Sequence, residues 1–244
     1  PMHDDTQVAR VSEMKNVLSE GVFPVRWVEN LGYGYGYPIF NFYAPLAYYI
    51  GGFFNLIGFD SLVATKIMIG IGTVLSGIGM YLLAKEFWGR VGGLISGVLY
   101  IYIPYHGVNI YVRGAIGELW AYSFIPFVFL GLYKIYKTST LLGTSTKELK
   151  SKDAIAHRTV QLRQIVWLWI SVTAFSYAAI ILSHNLTALM VTPFIVLFVI
   201  LLTIALKKQK AKVYLLPFSL FIGVLLSTFY WLPVGFEMKY TDVL

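Results

Sequence analysis

The sequence predicts an all-α, polytopic helical membrane protein. Hydrophobic residues make up 57% of its 244 residues and charged residues only 13%, whereas soluble domains carry roughly 25% charged residues. Several apolar runs reach or come close to the ~20 residues that a helix needs to cross ~30 Å of hydrocarbon. The alternation that marks a membrane β-barrel is absent, so helices must satisfy the backbone within lipid.

The N-terminal segment is polar and carries two neighbouring carboxylates, Asp4 and Asp5. Residues 5–20 then place apolar side chains at helical spacing: Val8, Val11, Met14 and Leu18. We expect an amphipathic helix that lies on the membrane surface. Because Gln7 follows Asp4 by three residues, the pair also predicts a capping box, in which the Asp4 side chain accepts backbone N–H groups of the first turn.

The next two segments are not expected to cross the bilayer. Residues 22–43 mix glycine, proline and aromatic residues, which predicts an ordered loop at headgroup depth. The apolar run 45–57 would rise only about 20 Å as a helix, so we expect a short re-entrant or interfacial helix. The predicted organisation is an outer loop with interfacial helices over 1–60 and a transmembrane bundle over 61–244.

Six apolar stretches are candidate spans: 62–83, 91–104 (or onward to 112), 118–136, 165–183, 186–206 and 213–234. The segments between them carry 13 of the 19 Lys and Arg residues, within 84–90, 134–163 and 207–212. By the positive-inside rule these segments are cytoplasmic, including a loop at 137–164, and residues 1–60 are extracytoplasmic at the plasma membrane. This orientation needs one more span before Pro1, so we expect a longer protein.

The charge and cysteine content narrow the function further. The net charge of +7 comes from those basic segments rather than from a basic and aromatic surface, so nucleic acid is not an expected partner. The chain has no cysteine, which excludes a disulfide framework and thiolate chemistry.

Asp4 and Asp5 are the candidate catalytic residues. A carboxylate at the outer interface can accept a proton from an attacking hydroxyl or bind a divalent cation through its oxygens. The alternative is that the acidic pair only caps the first helix. No histidine set shows the spacing of a zinc site.

Four other polar positions fall at predicted outer ends of spans. Arg113 and Glu118 are costly near the membrane, so they either pair with each other or bind a substrate phosphate. Lys66, one turn into its span, either snorkels to the interface or binds phosphate. His184 falls in the turn Ser183-His184-Asn185, where it is either an interfacial or a catalytic residue.

The order of these motifs resembles the first outer loop and second span of the GT-C glycosyltransferases. Three stretches resemble the 6-pyruvoyl-tetrahydropterin-synthase-related membrane proteins in particular: Gly34-Tyr35-Gly36-Tyr37-Pro38, Tyr111-Val112-Arg113-Gly114-Ala115 and Ser183-His184-Asn185-Leu186. The resemblance covers most of the chain. It implies a GT-C-like fold of about six transmembrane helices with interfacial helices in an outer loop.

The resemblance also implies an inverting glycosyltransferase that uses a polyprenyl-phosphate sugar donor on the outer face, with membrane lipids around it. The base then falls on Asp4 and the second acidic position on Asp5, which would also hold any divalent cation. Some relatives have a lysine where this chain has Tyr43 and Ala44. We therefore expect substrate binding by five residues: Arg113, Glu118, Lys66, His184 and Tyr43.

Two other classes of protein remain open. A non-catalytic membrane subunit would use the acidic pair only as a helix cap. A transporter of lipid or polysaccharide would use the outer carboxylates as gate residues, although the sequence shows no pair of broken helices around a midplane site.

Overall fold

The computed structural model describes residues 6–148, 152–207 and 213–240. Within these ranges the regular structure is helical, apart from one isolated β-bridge between Val28 and Tyr37. The prediction of an all-α membrane protein is therefore confirmed for the described residues. Asp4 and Asp5 lie outside them.

The first three helices form a compact unit: α1 (Gln7–Ser19), α2 (Ile39–Phe42) and α3 (Leu46–Leu56). Val11 and Met14 on the apolar face of α1 are fully buried. A Cβ atom on Gly51 of α3 would lie 2.7 Å from Cγ2 of Val11, and one on Gly52 would lie 2.7 Å from Cγ of Met14. The apolar face of α1 thus packs on protein, whereas the sequence predicted that it would rest on the membrane.

The short helix predicted near 45–57 is present as α3. Its 11 residues rise only about 17 Å, which is less than the ~30 Å of a hydrocarbon core.

Helix α4 (Ser61–Tyr102) is a hairpin whose two arms meet at Gly89, where φ is 70° and the backbone is not helical. A Cβ atom on Gly97 would lie 2.9 Å from the carbonyl oxygen of Gly77, although twenty residues of straight helix would separate them by ~30 Å. The chain therefore reverses direction at Gly89, and glycines allow the two arms to pack closely. A short α5 (Pro104–Gly107) and a π-helix (Val108–Arg113) follow.

Two long helices form the centre of the bundle, α6 (Ile116–Glu148) and α7 (Lys152–Ser183). They occupy most of the segment 137–164, which the sequence assigned to a loop. Small residues let helices approach: the hydroxyl of Ser123 in α6 donates to the carbonyl of Gly72 in α4 (2.7 Å). Helix α8 (Asn185–Lys207) follows α7 after a single residue.

The last predicted span, 213–234, is broken. Helices α9 (Leu215–Leu226) and α10 (Thr228–Glu237) meet at Ser227 with a bend of 64°. By length and composition, four helical stretches of the described chain could cross a membrane, or five if α9 and α10 count as one span. The first of these four, Ser61–Arg113, contains the first two of the six spans predicted from the sequence.

Long-range contacts define two opposite ends of the bundle. At the end that we call the α1 end, Gln7 contacts Gly114, and the hydroxyl of Tyr230 donates to the carbonyl of Phe42 (3.1 Å). At the other end, beside the α4 reversal, Glu86 pairs with Lys134 (2.6 Å) and Lys137 (3.4 Å). The unit α1 to α3 therefore lies at the end opposite to the basic segment around Lys134.

Candidate functional site

The candidate site begins at the π-helix of the α1 end. This helix ends at Arg113, and the next residue, Gly114, caps it. Gly114 adopts a left-handed conformation with φ of 67°, which glycine accommodates readily. Wider π turns are frequent at functional sites, and this one presents Arg113 at its last position. The sequence indicated Arg113 by its charge but gave no sign of the π turn.

Three groups hold the guanidinium of Arg113. Its Nη1 atom donates to Oε2 of Glu118 (2.8 Å), to Oδ1 of Asn109 (2.8 Å) and to the hydroxyl of Tyr105 (3.2 Å). Among the described residues, all of these hydrogen bonds use the same nitrogen. The edge formed by Nε and Nη2 is therefore oriented and still available to an anion that can accept two hydrogen bonds.

The two members of the ion pair differ in exposure. The side chain of Arg113 is 49% exposed and that of Glu118 only 9%. The buried carboxylate of Glu118 also accepts hydrogen bonds through Oε1 from Tyr105 (2.6 Å) and Tyr122 (3.4 Å). The structure thus brings two predicted substrate-binding residues together, and Arg113 and Glu118 pair, as one of the two alternatives from the sequence stated, with Glu118 as the buried anchor.

Gln7 joins the start of α1 to this cluster. Its Nε2 donates to the carbonyl of Gly114 (2.8 Å), and its Oε1 accepts from the hydroxyl of Tyr48 (2.6 Å). Helix α1 begins at Gln7 with Thr6 as its N-cap, so Gln7 is not the third helical residue that a capping box with Asp4 requires. The Gln7 side chain instead makes tertiary hydrogen bonds across 107 and 41 positions of sequence, and the predicted cap by Asp4 lies outside the described residues.

Tyr43 and Tyr48 connect α1 to a neighbouring cavity. The guanidinium of Arg10 lies over the ring of Tyr43, 4.8 Å from its centroid, and donates to the hydroxyl of Tyr48 (3.3 Å). Burial raises the pKa of Tyr48 well above its usual range, so this hydroxyl remains protonated. The sequence did not single out Arg10, Tyr48 or the tertiary role of Gln7, because each depends on long-range contacts.

A cavity of about 150 Å³ lies between the segment 42–44 and the turn 183–186, and both Tyr43 and His184 line it. Its walls are tied together, since the amide of Asn185 donates to the hydroxyl of Tyr230 (2.9 Å), which donates to the carbonyl of Phe42 (3.1 Å). A second crevice of about 10 Å³, lined by Pro24 and other residues of the aromatic loop, has room for roughly one water molecule.

His184 is the N-cap of α8. The backbone N–H of Thr187 donates to its Nδ1 (3.2 Å), and the Thr187 hydroxyl lies 2.8 Å from the same atom. Nδ1 is therefore the acceptor, and a neutral ring carries its proton on Nε2. Burial lowers the pKa of His184; Glu118 opposes this shift and Arg113 adds to it. The ring is thus held as a neutral Nε2–H donor.

The turn that contains His184 packs directly on the start of α6. A Cβ atom on Gly117 would lie 2.5 Å from the carbonyl oxygen of Ser183 and 3.7 Å from Cδ2 of His184. Because Gly117 immediately precedes Glu118, this close approach places the cavity beside the ion-pair cluster.

Lys66 lies apart from these contacts. Its side chain is exposed on α4, and it makes no hydrogen bond or ion pair with a described residue. The predicted catalytic roles of Asp4 and Asp5, and the predicted cation site on the same two residues, fall outside the described residues. Within the described part of the chain, no group of three or more His, Asp or Glu residues could hold a metal ion.

Two buried polar atoms near Arg113 have no partner among the described residues. They are Nδ2 of Asn109, whose Oδ1 accepts from Arg113, and Nδ1 of His106. The rings of Tyr100 and Tyr122 pack against His106 at 5.0 and 5.5 Å. Such orphaned polar atoms are rare in folded proteins, and these two fall in and just before the π-helix.

Comparison with known proteins agrees with one part of the expected resemblance. Residues 40–141 match the model of a family described as "6-pyruvoyl-tetrahydropterin synthase related domain; membrane protein". The match covers about two-fifths of the chain, from α2 to α6, and includes Tyr43, Arg113 and Glu118. It supports the resemblance to that membrane protein family. No curated protein and no solved structure is detectably similar to the chain.

Proposed function

We propose that this chain is part of a membrane glycosyltransferase that moves a sugar from a polyprenyl-phosphate donor to an acceptor hydroxyl. The observation that carries the proposal is the guanidinium of Arg113, which is half-exposed, is oriented through Nη1 and makes no hydrogen bond to a described residue through Nε or Nη2. A planar guanidinium with two free donors matches the oxygens of a phosphate better than a lysine ammonium does.

The position of α1 supplies the second half of the proposal. Gln7 is bound to Gly114, the residue after Arg113, and Asp4 and Asp5 precede Gln7 by three and two residues. Two or three residues of chain span at most roughly 11 Å. A carboxylate and a phosphate-binding arginine can therefore serve the same substrate.

The proposed reaction is a single displacement. The acceptor oxygen forms a bond to the anomeric carbon while the bond from that carbon to the phosphate oxygen breaks, which inverts the anomeric centre. Asp4 or Asp5 takes the proton of the acceptor hydroxyl, and Arg113 stabilises the negative charge that develops on the leaving phosphate. A GT-C-like bundle of six spans, with the α1 end on the extracytoplasmic face of the plasma membrane, is part of the same proposal.

The orientation is tested by single-cysteine labelling, which is clean because the chain has no cysteine of its own. Tyr33→Cys places a thiol at a fully exposed position of the aromatic loop. We expect an impermeant maleimide to label it in intact cells. Labelling only after the cells are opened would place the α1 end in the cytoplasm and contradict an outer-face reaction.

The activity is tested with the full-length protein in lipid nanodiscs and polyprenyl-phosphate-linked sugars, by measuring release of polyprenyl phosphate. Arg113→Gln should reduce release at least tenfold, whereas Lys66→Gln, the matched loss of an exposed cation, should leave it unchanged. Of the two single variants Asp4→Asn and Asp5→Asn, one should abolish release. Full release by the double Asp4→Asn, Asp5→Asn variant would refute the role of the carboxylates.

A non-catalytic membrane subunit is the second candidate function. One observation favours it, namely that Arg113 already has a buried carboxylate partner in Glu118. Under this alternative the cluster only stabilises the α1 end, and no variant of Arg113 changes sugar transfer except through loss of folded protein.

A further inference from the structure

The cavity beside the ion pair has room for a small ring. Its volume is about 150 Å³. A cavity of that volume accommodates a single six-membered ring such as benzene. A single ring therefore fits in the cavity.

The lining of the cavity distinguishes between kinds of ring. Aromatic Tyr43 and polar His184 and Asn185 all line it. A purely apolar ring would leave the Nε2–H group of His184 without a partner, which costs free energy. A pyranose suits the lining, because its C–H groups can contact the aromatic ring while its hydroxyls exchange hydrogen bonds with the polar side.

His184 gives this lining a fixed direction. Its Nδ1 is occupied by the N–H of Thr187, so only Nε2–H can serve a ligand, and it serves as a donor. The Asn185 amide is held by Tyr230, its Nδ2 donating to the Tyr230 hydroxyl (2.9 Å) while its Oδ1 lies 3.2 Å from the same oxygen. The polar groups of the cavity are thus set in place before any ligand arrives, which reduces the entropy cost of binding.

We propose that this cavity is a monosaccharide subsite that holds one pyranose ring, with Tyr43 as its aromatic wall and the neutral His184 as a donor to a ring hydroxyl. The proposal rests on the proposed glycosyl transfer, and it assigns the sugar ring to this cavity and the donor phosphate to Arg113. Gly117, which immediately precedes Glu118, packs closely on the turn that contains His184. The two sites are therefore neighbours.

The test is direct binding to the full-length protein in nanodiscs, without any transfer reaction. The probes are the methyl pyranosides of glucose, galactose, mannose, N-acetylglucosamine and glucuronic acid, and cyclohexanol is the ring without the hydroxyl set. Saturation-transfer NMR reports binding. We expect at least one pyranoside to bind and cyclohexanol not to bind.

The decisive variant is His184→Asn. Asparagine is among the best N-cap residues, so α8 should keep its cap while the Nε2–H donor is lost. We expect the pyranoside dissociation constant to rise roughly 2- to 10-fold, as for the loss of one hydrogen bond, with an unchanged melting temperature. His184→Leu removes both functions and should lower the melting temperature as well.

The outcomes separate this subsite from the proposed reaction. If no pyranoside binds, or if binding is the same in the wild type and in His184→Asn, the subsite is refuted even when Arg113-dependent transfer is found. If a pyranoside binds through His184 but no polyprenyl-phosphate sugar is consumed, the subsite stands and the proposed transferase is refuted.

Discussion

Substituting Glu118 by glutamine should weaken the fold and strengthen phosphate binding at the same time. The side chain keeps its size, but the hydrogen bond to Arg113 (2.8 Å) changes from charge-assisted to neutral. Charge-assisted hydrogen bonds contribute about 1.5–3 kcal/mol and neutral ones about 0.5–1.5 kcal/mol. Because the arginine is 49% exposed, solvent screening favours the low end of the difference, about 1 kcal/mol.

The expected loss is measurable as a fall in melting temperature. For a chain of this size, 1 kcal/mol corresponds to roughly 2–4 °C, which scanning fluorimetry of the detergent-solubilised protein resolves. The same change removes a negative charge beside the guanidinium of Arg113 and leaves its Nε–Nη2 edge as it was, so a polyprenyl monophosphate should bind more tightly to Glu118→Gln than to the wild type. Arg113→Gln is the matched control, which removes the guanidinium and should abolish this gain.

The prediction is refuted if stability and phosphate affinity fall together. If Glu118→Gln lowers both the melting temperature and the affinity for polyprenyl monophosphate, then the carboxylate helps phosphate binding by orienting Arg113 more than it opposes phosphate binding by its negative charge. If neither quantity changes, the ion pair contributes nothing to stability or to binding.

Three further predictions concern the contacts around the site. Gly117→Ala should lower the melting temperature by roughly 2–12 °C, because its Cβ atom would lie 2.5 Å from a backbone oxygen and overpacking costs about 1–3 kcal/mol. An unchanged melting temperature would contradict the close packing. Gln7→Met should lower the free energy of unfolding by about 1–2 kcal/mol, because two hydrogen bonds are lost. An unchanged free energy of unfolding, measured by chemical denaturation, would argue against this tertiary link. Burial lowers the pKa of His184. The neutral ring therefore contributes stability that is fully present above the unfolded pKa of ~6.5 and is lost as pH falls through the folded pKa. Melting curves of the wild type and His184→Asn should diverge below about pH 6.5, and parallel curves would refute the buried neutral ring.

The all-helical class could be predicted from the sequence alone, because hydropathy and the length of apolar runs are local properties. It marked the helices near 62–83, 118–136, 165–183 and 186–206, and the short helix α3. It also identified Arg113 and Glu118, since charges are unusual beside apolar runs. The positions of these features along the chain could be predicted without knowing which of them touch.

The remaining features depend on contacts between distant residues. The surface of α1 was amphipathic in sequence, but only tertiary packing decides whether Val11 faces lipid or α3. The hydrogen bond from Gln7 to Gly114 spans 107 positions, and the π turn before Gly114 has no local signature. The sequence likewise predicted one span over 213–234, where the structure has a 64° bend at Ser227.

The most direct test of the proposed function is a cryo-EM structure of the full-length protein with a polyprenyl monophosphate bound. We predict phosphate density within hydrogen-bonding distance of Nε or Nη2 of Arg113, at the α1 end of the bundle, with the cavity of Tyr43 and His184 beside it. Phosphate density beside Lys66, or at the opposite end near Lys134, with Arg113 still bound only to Glu118, would contradict the proposed site.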